Sequence, residues 1–206
     1  MEAGFGQKLV GLSCPPRFEA HLVLGSGSPR RKELLALLGF PFSVRTADTD
    51  ELAPAGLSDL ETVQYVARQK AEALVPGLLH GEVVLTADTE VWMDGERFGK
   101  PASTQEALTM LLRLRGRSHR VITAVWATDG KRWEHAHRIT EVHMADLPES
   151  WLSWYVQTYQ PMDKAGAYGA QEWIGHIGIA RLEGDFDTVK GLPLPAVLEV
   201  LRPWMA

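Results

Sequence analysis

At 206 residues, 45% hydrophobic and 23% charged, the chain fits one domain, or one domain with two lobes, around a sizeable core. A net charge of −5 excludes the broad basic face of a nucleic-acid binder, and no apolar run approaches the ~18 residues of a membrane span. The single cysteine, Cys14, excludes an internal disulfide framework and fits a reducing cytoplasm. The N-terminus lacks the basic start and long apolar core of a signal peptide. Residues 1–20, with Gly4, Gly6, Pro15 and Pro16, read as an extension, and the domain is expected over residues 21–206.

His21 to Phe40 predicts a short buried strand, a glycine turn and an amphipathic helix. Ser28 suits the N-cap, and Pro29 suits the first helical position, where its missing N–H costs nothing. Leu34, Leu35, Leu37 and Leu38 form the expected buried face, and Gly39 and Pro41 stop the helix. Arg30, Arg31 and Lys32 sit in the first turn, at the positive end of the helix dipole, where each cation costs about 0.3–1 kcal/mol. Free backbone N–H groups beside two guanidinium forks suit an anion, most naturally a phosphate chain. A solvated basic turn is the plainer alternative.

Phe42–Arg45 reads as a second strand, leading into Asp48, Asp50 and Glu51. That acidic run is either a solvated loop or a set of oxygen ligands for a hard divalent cation. Ser58 to Leu74 is a helix opened by a capping box, Ser58-x-x-Glu61. Its apolar face is Leu60, Val63, Val66, Ala67, Ala71 and Leu74, and Lys70 falls inside it. Lys70 either snorkels to water or points into a cleft to meet an anion. Val83–Thr86 reads as a strand with Asp88 at its end, and Glu90–Met93 as its continuation. Asp94-Gly95 marks a hairpin turn, and Gly99-Lys100-Pro101 closes the unit. An acid at a strand end with a lysine returning from a hairpin is a plausible site layout; a turn residue and a surface charge are the alternative.

Ser103 to Leu114 is a further capped helix. Val121–Thr128 and Arg132–Met144 are two strands joined at Asp129-Gly130. His135 and His137 share a strand face but lack a third ligand, so a plain strand surface is expected. Pro148–Tyr159 is a Trp- and Tyr-rich helix suited to core packing or to a homodimer contact. The glycine-rich loop Pro161–Trp173 carries Asp163, Lys164 and Gln171 and permits close approach of a ligand. A strand over Ile177–Glu183, a turn at Gly184 and Asp185, and a helix over Pro193–Trp204 complete the chain, with no internal repeat.

Two arginines, two lysines, a strand-end Asp and an upstream Glu are the groups needed to hold a polyphosphate, a divalent cation and an attacking water. There is no G-x-x-x-x-G-K-[ST] loop, so a P-loop enzyme is excluded. SGSPRRKELL, the TDE at Thr49–Glu51, ARQKAEAL around Lys70, ADT at Ala87–Thr89, GKP at Gly99–Pro101, DKAGAYGAQ at Asp163–Gln171 and GLPL at Gly191–Leu194 stand in order. Together they resemble the Maf-like nucleoside triphosphate pyrophosphatases over about residues 21–204. The resemblance implies a two-lobed α/β fold, with a long mixed β-sheet flanked by helices and an inter-lobe cleft, of Maf/ITPase-like type. It implies hydrolysis of a nucleoside triphosphate to the monophosphate and pyrophosphate with a divalent cation, Mg²⁺ or Mn²⁺. Ser26, Arg30 and Arg31 would bind phosphates, and Lys70 and Lys100 would add charge across the cleft. Glu51 and Asp88 would hold the metal and the water, with Asp88 as general base. Arg30, Thr89 and Gln171 match positions associated with base choice, and DKAGAYGAQ resembles the branch acting on dTTP and UTP.

The chain departs from that pattern at three places. Glu90 stands after ADT where the family usually has an apolar residue, Gly25 replaces a common Ala, and Asp187, Thr188 and Lys190 stand where the family usually has Asn and an apolar residue. Three rival readings are a 7-methyl-GTP pyrophosphatase of the same family, a non-enzymatic regulator of septum formation, and a dinucleotide-binding protein. The last rests on Gly25-x-Gly27 with Asp48 downstream, but Arg30 takes the third glycine position.

Overall fold

The computed structural model describes residues 18–206. Residues 1–17, with Cys14 and most of the expected extension, lie outside the described residues. Phe18 forms an isolated antiparallel bridge with Met205 and packs on Phe40.

Seven strands form one mixed sheet in the order β2-β1-β3-β5-β6-β7, with β4 beside β3. β1 (His21–Leu24) pairs in parallel with β2 (Phe42–Val44) and with β3 (Glu82–Met93). β3 is antiparallel to β4 (Glu96–Phe98) and to β5 (Ser118–Thr128). β5 continues antiparallel to β6 (Trp133–Met144), and β6 to β7 (Ile179–Glu183).

Side chains alternate across a strand, so the two faces of β3 bury different residues. One face, with Val84 on β3 and Ile122 and Ala124 on β5, is covered by α2 (Asp59–Leu74) through Val63, Ala67 and Ala71. The other face carries two apolar clusters. The first gathers α1 (Pro29–Ala36) and the C-terminal helix around Leu22, Leu24, Leu85 and Val125. The second gathers α3 (Thr104–Leu114) and α4 (Glu149–Tyr159) around Val91, Val121 and Val142. Between them the sheet presents Thr89 and Thr123, directly opposed in register and bonded through their hydroxyls at 2.9 Å. That polar strip divides the core into two lobes.

The structure corrects several local expectations. β3 runs unbroken from Glu82 to Met93, so Asp88 is mid-strand and not at a strand end. Its pairing with β5 persists from Val84 to Trp92 and carries the strand through Asp88. Leu37 is 73% exposed because α1 ends at Ala36 and the chain turns away at Gly39, φ +73°. Ser28 occupies the N-cap of α1 without a side-chain capping bond. Ile177 and Gly178 close a short helix, α5 (Trp173–Gly178), and the strand begins only at Ile179. The turn at Gly184 and Asp185 leads into α6 (Phe186–Lys190), capped by Asp185 on Thr188 N, and the last helix is α7 (Leu194–Leu201) followed by one 3₁₀ turn. In α4, Leu152, Tyr155 and Val156 face the core, while Trp151 and Trp154 stay half exposed beside Trp173.

Candidate active site

The site begins as a gap in the sheet. β1 pairs with β3 only as far as Leu85, and β4 takes up the same edge from Val91. Over residues 86–90 that edge of β3 has no strand partner. A cleft of about 930 Å³ passes through this window. All nine residues predicted for the site line it: Ser26, Arg30, Arg31, Glu51, Lys70, Asp88, Thr89, Lys100 and Gln171.

On the α2 side, Lys70 Nζ lies 2.6 Å from the Asp88 carboxylate and 2.8 Å from that of Glu51. The Lys70 side chain is only 14% exposed, so the snorkelling reading gives way to the cleft reading. Lys100 Nζ reaches Glu51 from the β4 side at 2.7 Å. Burial pushes the Glu51 carboxyl up, but the hydrogen bonds from Lys100 and Lys70 outweigh it and hold its pKa at about 2. Glu51 is therefore a fixed anion.

On the opposite side of the window, the start of α1 delivers its two arginines. Arg31 donates from Nε to Gly191 O at 2.9 Å and from Nη2 to Thr89 Oγ1 at 3.1 Å, with Ser26 Oγ at 3.4 Å from Nη1. All three acceptors are neutral. Among the described residues, no carboxylate lies within ion-pair distance of Arg31. Solvent still reaches its side chain through the cleft mouth, but protein surrounds the guanidinium, and burial lowers its pKa. A guanidinium held so, without a carboxylate in direct contact, is poised for an anion. Arg30 is paired with Asp163 at 2.8 Å, which ties the start of α1 to the glycine-rich loop of the other lobe. Ser26 Oγ also accepts from Ser28 N at 3.2 Å, so it shapes the turn as well as facing the cleft.

The glycine-rich loop closes the far end. The Gln171 side chain stands against Gly169, and its amide oxygen is shielded from solvent without a hydrogen-bond partner. A buried acceptor left unmade is expensive and points to a group that arrives with the ligand.

Glu51 and Asp88 offer oxygen donors only, the set a hard divalent cation prefers. Among the described residues, no group of three or more His, Cys, Asp or Glu side chains is placed to hold a metal. Two carboxylates still fit a small cation that completes its shell with phosphate oxygens and water. His135 stacks on Trp126 at 4.5 Å, as a strand-surface residue does.

The family model described as Maf-like protein matches residues 21–204. The chain belongs to the Maf family. It is 45% identical to a Bacteroides thetaiotaomicron protein named dTTP/UTP pyrophosphatase, a match covering 88% of this chain and 94% of that protein. Proteins of the same name from Symbiobacterium thermophilum and Flavobacterium psychrophilum are 46% and 40% identical, over 87% and 85% of this chain and 92% and 90% of theirs. A solved structure, the Staphylococcus aureus Ham1 protein, superposes with a TM-score of 0.44 at 15% identity, over 61% of this chain and 72% of that one.

Two departures of this Maf family member have structural reasons. A Cβ at Gly25 would lie 2.6 Å from Leu74 and 2.7 Å from Thr86, so glycine is what lets α2 pack at the end of β1. Glu90 is buried and meets Arg97 at 2.5 Å and the Trp92 indole N–H at 2.9 Å. Burial first, then the neighbouring Asp88 charge, push its pKa up to about 7. Arg97 lines the cleft and was missed in the sequence, because nothing marks one arginine of a hairpin until pairing sets it diagonally across from Glu90. Tyr155 and Glu172, which brace the loop, gave no signal either: the first reads as core and the second as a loop acid. Among the described residues, no helix is long and apolar enough to cross a membrane.

Proposed function

We propose that this Maf family member hydrolyses dTTP and UTP to the nucleoside monophosphate and pyrophosphate. The observation that carries the reading is that Arg31 and Asp88 stand on opposite sides of one window in the sheet. A guanidinium without a carboxylate in direct contact stands on one side, and a lysine-held pair of carboxylates stands on the other. The names of the relatives support the same reading and its pyrimidine branch.

The triphosphate lies between the start of α1 and the Lys70–Lys100 side. Arg31 takes phosphate oxygens, Arg30 exchanges Asp163 for them, and Lys70 and Lys100 offset the remaining charge. Glu51 and Asp88 would hold Mg²⁺ or Mn²⁺, which, when bound, neutralises phosphate charge and makes water a better nucleophile. Asp88 orients the attacking water and takes its proton. The water oxygen bonds to the α-phosphorus while the bond from that atom to the α–β bridging oxygen breaks, and pyrophosphate leaves in line. No side chain becomes covalently linked. We place the reaction in the cytoplasm, consistent with a chain whose one cysteine excludes a disulfide framework.

Pyrophosphate release from dTTP, UTP, CTP, GTP and 7-methyl-GTP, with Mg²⁺ or Mn²⁺, tests this reading. The highest kcat/KM is expected on dTTP and UTP. No release from any nucleotide would defeat the enzyme reading. Preference for 7-methyl-GTP would defeat the pyrimidine branch and leave the hydrolysis standing.

A further inference from the structure

Behind the Gln171 loop, Tyr155, Lys164 and Glu172 form a chain of polar groups that the proposed reaction does not use. Tyr155, fully buried on α4 and stacked on Tyr159 at 5.0 Å, donates its hydroxyl hydrogen to Glu172 Oε2. The same hydroxyl accepts from Gly169 N at 3.1 Å. The other Glu172 oxygen meets Lys164 Nζ at 3.0 Å, and Lys164 Nζ also reaches Asp163 at 2.6 Å. Glu172 N donates to Gly169 O at 3.0 Å and closes a tight turn around the intervening residues.

This arrangement is more than a stable loop requires. Glu172 occupies the N-cap of α5 but makes no capping bond there. Its carboxylate turns inward, at a desolvation cost that Lys164 and Tyr155 offset. Burial, and then the adjacent Glu172, raise the Tyr155 pKa, so the phenol stays a donor. Gly169 is the point of transmission. A Cβ there would fall 2.7 Å from the Glu172 carboxyl carbon and 3.0 Å from Gln171 Nε2. The Glu172 carboxylate and the Gln171 amide thus both crowd the space over one α-carbon.

We infer that Tyr155 and Glu172 are positioning residues for base recognition: with Lys164 they hold the Gly169 turn so that the Gln171 amide is presented to a pyrimidine. The inference rests on the reading of the cleft as a dTTP and UTP site. It assigns a role in specificity to a tyrosine on α4 that contributes no atom to the cleft lining.

Calorimetric titration of dTMP, UMP, CMP, GMP and pyrophosphate into the wild type, Tyr155→Phe and Glu172→Gln tests it. The wild type should prefer dTMP and UMP. Tyr155→Phe should weaken those two by about tenfold and leave CMP, GMP and pyrophosphate affinities unchanged. Glu172→Gln should act in the same direction. Tyr155→Phe keeps the ring and its stacking; if its melting curve shows a folding defect, the isosteric Glu172→Gln carries the comparison. Retained preference in the variants, equal weakening of all five ligands, or a wild type without preference would overturn the inference. Selective dTMP and UMP binding without pyrophosphate release from dTTP or UTP would overturn the hydrolytic reading instead.

Discussion

Lys70 on α2 and Asp88 on β3 meet at 2.6 Å across the window in the sheet, and the contact decides what each can do. A lysine inside the apolar face of α2 reaches the cleft because Thr86 and Ala67 fix that helix to β3, the Thr86 hydroxyl donating to Ala67 O at 2.7 Å. The Asp88 carboxylate is therefore oriented before any substrate arrives.

Asp88→Asn keeps the shape and removes the proposed base. Turnover should fall by at least ~10²-fold, the usual scale for a positioned base. Triphosphate binding, followed by calorimetry, should survive. Near-normal turnover would remove Asp88 from the chemistry.

Lys70→Met leaves Asp88 and Glu51 facing each other without the ammonium between them. Hydrolysis should drop by at least ~10-fold, with Glu51 protonating at a higher pH than in the wild type. A double-mutant cycle of Lys70→Met with Asp88→Asn should be non-additive in kcat. Full activity in Lys70→Met would restore the snorkelling role.

Arg31→Met tests the missing counter-ion. Removing the guanidinium relieves a buried charge but leaves Gly191 O without its donor, so the melting temperature of the free protein should change little. The rise in melting temperature that saturating pyrophosphate gives the wild type should disappear. A variant still stabilised by pyrophosphate would show that the phosphates bind elsewhere.

Gln171→Ala should cost about 1–3 kcal/mol on dTTP and UTP, roughly ten- to hundredfold in kcat/KM. An amide carries a donor and an acceptor, and uracil and thymine present a carbonyl beside a ring N–H. CTP, GTP and 7-methyl-GTP should be less affected. Equal loss on all five nucleotides would mean that Gln171 supports the cleft and does not read the base.

His119, behind the cleft-lining Tyr168, gives the stability a pH dependence of its own. It is buried on β5 with Nε2 at 2.8 Å from the Tyr168 hydroxyl. Burial first, then His143, hold its pKa at about 4. The unfolded histidine protonates at about 6.5, so between these values the unfolded state binds the extra proton. The stability His119 contributes is full above about 6.5 and is lost as pH falls towards 4. Urea unfolding across that range should show the slope, and His119→Gln should flatten it. An unchanged slope would assign it to other groups.

Much of the cleft is legible in the chain itself. The capping box at Ser58, the basic first turn of α1 and the hairpin turn at Asp94-Gly95 are local patterns, and the structure places each where the pattern puts it. Strand alternation and helix periodicity assign faces to Arg30, Arg31, Lys70, Asp88 and Thr89, whereas Ser26, Glu51, Lys100 and Gln171 lie in loops that only the fold brings to the same cleft. Local pattern fails where a distant partner competes. Asp88 reads as a strand end, but pairing with β5 runs straight through it. Leu37 reads as buried, but α1 ends one residue earlier.

The sequence by itself determined the family, the charge chemistry of the site and the elements that carry it, because motif spacing and side-chain type need no neighbours to be read. Only the tertiary structure decided that Lys70 is paired and not solvated, that Arg31 has no carboxylate in direct contact among the described residues, and that Tyr155 and Glu172 stand behind Gln171. Each of those facts is a distance between residues far apart in the chain. Arg31 and Gly191 O, at 2.9 Å, are brought together only when β1 stops short on β3 and opens the window between the lobes.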